Sequence, residues 1–147
     1  MTKVAVTQMS LGWDIEANLD KAEAAVRAAA AEGANILLLQ EFFATFYFCP
    51  EQNPKYFDHA YEVEGHPFLG RFADLCRELG VVCPISFFEK STNAYFNSVM
   101  IIDADGTQQG VYRKTHIPQG PGYEEKFYFN PGDLGFKVWA TAFGRIG

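Results

Sequence analysis

The sequence predicts an α/β fold that opens with a parallel strand-helix-strand crossover and continues as strands in succession, on three observations. An apolar alternating run at Lys3 to Met9 leads into an amphipathic helix pattern and then into a second apolar run, Ile36 to Gln40. A second helix pattern near Pro67 leads into a third apolar run, Val81 to Glu89. Two further runs, Asn97 to Asp103 and Gln108 to Lys114, flank Ala104-Asp105-Gly106, a turn signal that joins antiparallel neighbours.

In the first strand Val4, Val6 and Gln8 alternate with Ala5 and Thr7, a period of two. Asp14 can cap the helix that follows, because a short carboxylate satisfies amide donors left open in the first turn. Ile15, Leu19, Ala22, Val26 and Ala29 recur at steps of three and four, and Gly33 closes the helix. The second helix places Phe68, Phe72, Leu75 and Leu79 on one face before Gly80, with Pro67 at an early position where no amide donor is lost. In the third strand Pro84 conflicts with a central position, since proline removes a ladder donor. Residues 115–135 read as a Gly- and Pro-rich loop, followed by short strands at Phe136 to Ala140 and Phe143 to Gly147. There is no repeat and no low-complexity linker.

At 147 residues and 48% hydrophobic content the chain suits one ordinary domain, residues 1–147. No run approaches the roughly 20 apolar residues of a membrane span, and Met1-Thr2-Lys3-Val4 enters a strand without a signal peptide's apolar core, so the expected compartment is the cytoplasm. A net charge of −6 with scattered Lys and Arg argues against a nucleic-acid partner and is compatible with a cationic substrate. The three cysteines, Cys49, Cys76 and Cys83, are odd in number and irregularly spaced, which indicates neither a disulfide framework nor a metal knuckle. His59 and His66, among Asp58, Glu62 and Glu64, lack helical or zinc-signature spacing and read as solvated loop residues.

Chemistry concentrates at two strand ends. Ile36 to Leu39 offers no solvated face for a carboxylate, so Glu41 beyond it is expected to open onto a cleft; Lys114, after Val111 and Tyr112, is placed the same way. Taken singly, each also fits a bland role, a solvated terminus for Glu41 and an edge-blunting charge for Lys114. Cys49 follows three aromatic residues near Glu41, yet it lacks the strand-to-helix turn that presents a thiolate to a base.

Taken together, Leu37-Leu38-Leu39-Gln40-Glu41-Phe42-Phe43, Tyr112-Arg113-Lys114-Thr115-His116-Ile117-Pro118 and Gly120-Pro121-Gly122-Tyr123-Glu124-Glu125 resemble the nitrilase superfamily of carbon-nitrogen hydrolases. The resemblance runs from Lys3 to Gly147. The continuation to Asp133, with Phe46-Tyr47-Phe48-Cys49, looks most like the branch acting on N-carbamoylputrescine. It implies an α-β-β-α sandwich, of which this chain supplies the first half. It also implies Glu41 as general base, Lys114 as oxyanion stabiliser and Glu125, in preference to Glu124, as the residue that positions substrate and lysine. Tyr47 and Tyr123 are then substrate-binding aromatics, His116 a supporting residue with a modest site role, and Phe48 either wall or core. The family's nucleophilic cysteine lies in an Ile-Cys-Trp-Asp-like motif after a strand beginning as Gly144-Arg145-Ile146-Gly147, so the nucleophile is absent from this chain. No cofactor and no metal are implied; the partners are a small ureido or amide substrate and, in the full-length enzyme, further copies of itself.

The residue types follow from the reaction. A ureido carbon is a poor electrophile, and a thiolate attacks it well once a carboxylate has taken the thiol proton, which can later pass to the departing ammonia. A fixed ammonium stabilises the oxyanion and, beside a carboxylate, keeps both ionised. Sibling activities on N-carbamoyl-β-alanine, ω-amides or nitriles use the same groups. A reading from another class is a catalytically silent half-sandwich serving as an association module. On either reading one sheet face is left uncovered, and the half alone is expected to be marginal or aggregation-prone.

Overall fold

A computed structural model describes residues Met1–Gly147. The strands are β1 (Val4–Val6), β2 (Ile36–Leu38), β3 (Cys83–Ser91), β4 (Ala94–Ile102), β5 (Gln108–Arg113), β6 (Trp139–Thr141) and β7 (Gly144–Ile146); the helices are α1 (Ile15–Ala31) and α2 (Leu69–Leu79). Short 3-10 helices occupy Pro54–His59 and Glu125–Phe127.

The expected crossover is present. The Asp14 side chain accepts from the Ala17 amide at 3.1 Å, capping an alanine-rich helix, and Gly33 turns the chain out at φ +85°. β1 and β2 then pair in parallel, Val4 opposite Ile36 and Val6 opposite Leu38. Both strands are shorter than their apolar runs, because the chain leaves the sheet before Gln40: the Gln40 side chain bonds the Met9 carbonyl and amide at 2.7 and 3.1 Å instead.

β3, β4 and β5 form an antiparallel sheet in that order. The β4–β5 turn is the expected one, with Gly106 at φ +82°. The β3–β4 hairpin was not expected, since its tip is Thr92-Asn93, with Thr92 at φ +53°, and contains no glycine. β2 and β3 join the sheets through one parallel bridge, Ile36 to Val82, with the Val82 amide donating to the Asn35 carbonyl at 2.9 Å. Amide direction alternates along a strand, so the nitrogen of Pro84 lies on the same outer edge as that of Val82. The conflict posed by Pro84 is thereby resolved: its missing donor falls at an edge where the ladder has stopped. Pro67 stands two residues before Leu69, outside α2 rather than early within it, and Phe68 is the cap residue.

Both helices cover one face of the sheet. Leu19, Val26, Leu37, Phe72, Cys76 and Ile85 belong to the main core between them. A second, aromatic core holds Phe42, Phe48, Tyr56, Phe88, Tyr128 and Phe129 behind the β3–β4 hairpin, which assigns Phe48 to packing. His66 corrects an expectation: it is buried, edge-on to Phe68 and Phe87, and burial pushes its pKa down to about 4. His59 is half-buried, 6.0 Å from the Tyr56 ring centre. On the opposite face of β1 and β2, Val4, Val6 and Leu38 are exposed, the uncovered surface that the sequence predicted. The expected loop over 115–135 contains the 3-10 helix at Glu125–Phe127; β6 and β7 form a short hairpin, β7 inside its expected range and β6 starting later and ending one residue beyond Ala140.

Candidate active site

Glu41 lies in the turn immediately after β2. The Phe42 backbone there adopts φ +53°, a left-handed conformation that costs a bulky side chain energy, and its amide donates to Ser86 Oγ of β3 at 3.1 Å. Lys114 follows the last residue of β5. Its amide donates to the Asn97 carbonyl and its carbonyl accepts from the Gly132 amide, each at 2.8 Å. Gly132 fits only as glycine, because a Cβ would overlap the Arg113 carbonyl. Glu125 opens the second 3-10 helix and is buried.

These three elements bring Glu41, Lys114 and Glu125 together. Lys114 Nζ lies 3.2 Å from Glu41 Oε1 and 2.9 Å from Glu125 Oε2. The two carboxylates differ in access, for the Glu41 side chain is 47% exposed and that of Glu125 4%. Burial opposes the charge on Lys114, but hydrogen bonding to Glu125 and the field of Glu41 outweigh it, and the lysine pKa is raised. Tyr47 donates its hydroxyl to Glu125 Oε1 at 2.9 Å, and burial followed by that carboxylate raises its pKa. A cavity of about 270 Å³ opens here, lined by Leu38, Leu39, Glu41, Ser86, Asn97 and Lys114 among others.

Of the expected site residues, Glu41, Lys114, Glu125 and Tyr47 form this connected cluster. His116 and Tyr123 do not join it. His116 is exposed and makes no side-chain hydrogen bond, and the Tyr123 ring folds back over Gly120. Glu124 points elsewhere, accepting from Gln52 at 3.0 Å and from Gln119, so the preference for Glu125 agrees with the geometry. The two neighbouring side chains part because Glu124 caps the 3-10 helix that Glu125 opens. Cys49 is buried, and burial, followed by the Glu125 charge, pushes its thiol up to about 12, which suits packing rather than attack. Cys76 and Cys83 are buried as well.

Sequence reasoning missed Asn97, whose side-chain amide donates to Glu41 Oε1. The signal available was a polar pair, Asn97-Ser98, inside the otherwise apolar β4. It also missed Glu89, buried against Arg113 and Ser98 on the other face of the same sheet.

Comparison with known proteins turns on the extent of the match: the carbon-nitrogen hydrolase family profile covers residues 3–147. The chain belongs to the carbon-nitrogen hydrolase family. It is 54% identical over 147 residues to N-carbamoylputrescine amidase of Solanum tuberosum, covering 100% of this chain and 49% of that protein. It is 47% identical over 145 residues to citrullinase of Francisella tularensis, covering 99% of this chain and 51% of that one. The chain thus spans about half the length of the relatives it matches. A carbon-nitrogen hydrolase structure from Helicobacter pylori superposes with a TM-score of 0.87 at 37% identity, over 94% of this chain and 48% of that one. The nitrilase-type α/β fold expected from the sequence is therefore the fold of this chain. No helix is long and apolar enough to cross a membrane.

Proposed function

We propose that this chain forms the N-terminal portion, residues 1–147, of an amidohydrolase that opens N-carbamoylputrescine to putrescine, carbon dioxide and ammonia. The observation that carries the reading is an ammonium, Lys114, held between an accessible carboxylate and a buried one beside a cavity. The nucleophile is a cysteine outside residues 1–147, since all three cysteines within it are buried.

Glu41 takes the thiol proton as sulfur attacks the ureido carbon, and Lys114 Nζ stabilises the negative charge that gathers on the carbonyl oxygen. Glu125, fixed by Tyr47, holds the ammonium in place. Collapse breaks the C–N bond while Glu41 returns the proton to the leaving ammonia. Water activated by Glu41 then releases the carbamoyl group from sulfur, and the carbamate that follows loses carbon dioxide. Tyr123 and His116, outside the cluster, serve as rim contacts to the substrate.

Similarity to both an N-carbamoylputrescine amidase and a citrullinase supports a terminal ureido group as the bond opened. The enzyme acts in the cytoplasm, in polyamine biosynthesis, as a homo-oligomer. Ammonia release by the full gene product with N-carbamoylputrescine, citrulline and N-carbamoyl-β-alanine tests the assignment. Highest kcat/KM on the first is expected, and preference for carbamoyl-β-alanine overturns the substrate choice. Absence of turnover on every ureido, amide and nitrile substrate favours the association-module reading instead.

A further inference from the structure

The hydrogen bonds around Glu41 are unevenly shared between its two oxygens. Oε1 accepts from the Asn97 side-chain amide and from Lys114 Nζ, whereas Oε2 has no partner within the chain. Asn97 is only 5% exposed, and its backbone carbonyl accepts from the Lys114 amide at 2.8 Å. One residue of β4 thus holds the acid/base carboxylate through its side chain and the cation through its main chain. A buried amide bonded to a carboxylate gains a charge-assisted bond and loses its partner if the carboxylate swings away.

We propose that Asn97 is a positioning residue that fixes Glu41 through Oε1 and thereby makes Oε2 the oxygen that exchanges protons in the reaction. The inference rests on the functional reading above for its chemistry and on separate geometry for the role of Asn97. In the first half-reaction Oε2 takes the S–H proton as the S–C bond forms and the carbonyl pair moves to oxygen. When that pair returns, the C–N bond breaks and Oε2 gives the proton to nitrogen. In the second half, water gives a proton to Oε2 as its oxygen attacks carbon, and that proton returns to the departing sulfur.

The charged and titratable groups facing Glu41 are Lys114 at the end of β5, Glu125 beyond it, and Tyr47 and Cys49 from the loop that Glu41 opens. β3 and β4 add only the neutral Ser86, Asn97, Ser98 and Val99 to the cavity wall, and β5 adds Tyr112. Loss of the Asn97 donor should therefore leave Glu41 Oε1 held by Lys114 alone.

Two variants of the full gene product test this. Asn97→Leu keeps the volume and removes the donor without adding a charge; Asn97→Ser shortens it and serves if the leucine does not fold. The rate kcat for N-carbamoylputrescine should fall about tenfold to a hundredfold, with KM changed less than about threefold. A merely structural role would lower thermal stability and leave kcat of the folded variant within about twofold of wild type, which overturns the proposal. The chemical shift of a 13C-labelled Glu41 carboxyl at one fixed pH gives the same answer without turnover: a changed resonance in the variants supports the positioning role, and an unmoved one overturns it. Variants that move this resonance in a protein whose wild type hydrolyses nothing would instead overturn the functional reading alone.

Discussion

Arg113 and Lys114 are consecutive residues at the end of one strand, yet the ion pairs they make on opposite faces of the sheet have opposite characters. Arg113 lies against Glu89, which also accepts from Ser98 Oγ at 2.5 Å, and its guanidinium covers the Phe96 ring at 3.9 Å. Side-chain exposure there is 11% for Arg113 and 4% for Glu89, and both Glu89 oxygens are occupied. Lys114 also touches a buried carboxylate, but its second partner, Glu41, faces a cavity with one oxygen unbonded. Like residue types thus build a closed brace on one face and a site with spare bonding capacity on the other. What separates structural from chemical charge here is access and an unfilled acceptor, not charge itself.

Removing members from each side sharpens that contrast. In the full gene product, Glu41→Gln and Lys114→Ala should abolish measurable turnover, a loss of at least about a hundredfold; the thermal midpoint should be little changed for Glu41→Gln and should fall for Lys114→Ala, which leaves the buried Glu125 without its cation. Ammonia assays beside calorimetry check both halves, and normal activity in either variant refutes its assigned role. Glu89→Ala should do the reverse, leaving the Arg113 charge buried with only Asp133 beside it and costing about 3 to 5 kcal/mol in urea denaturation. A loss confined to activity would erase the distinction between the two faces.

Smaller effects follow from pH. His66 titrates near 4 when folded, below the 6.5 of an ordinary histidine, so between those values the unfolded chain binds more protons. Its contribution is complete above pH 6.5 and lost as pH falls through 4, about 3 kcal/mol in all; His66→Gln should flatten that part of the stability curve. Lys114 has the opposite sign. Its raised pKa gives stability present below the ordinary lysine value of 10.5 and lost as pH rises through the folded value. Lys114→Met should remove that alkaline dependence, the smallest of these changes.

The legible parts of this chain were those written locally. Asp14, Gly33 and the three-four spacing of Leu19, Ala22 and Val26 specify α1 within a few residues of one another, and the order of Glu41, Lys114 and Glu125 carried the site. The brace of Glu89 and Arg113 and the clamp of Asn97 were not legible, because both depend on register. Glu89 opposes Phe96 only through the Thr92-Asn93 hairpin, whose turn lacks the usual glycine, and Ser98 opposes Arg113 only through the β4–β5 turn, past a register shift at Ile101 and Ile102. His66 was misread for a related reason: its neighbours Phe68 and Phe87 come from different elements, and no short-range pattern announces their meeting.

Pro84 gives this architecture a further property. After Val82 bonds to Asn35, the next residue of β3 aimed at β2 has no hydrogen to offer, so the two strands are free to part. Leu38 and Leu39 remain on one bank and Ser86 on the other, and the cavity beneath Glu41 lies between them. A continuous ladder would have zipped that gap shut. In this fold the cavity beside Glu41 begins with a hydrogen bond that the sequence is unable to make.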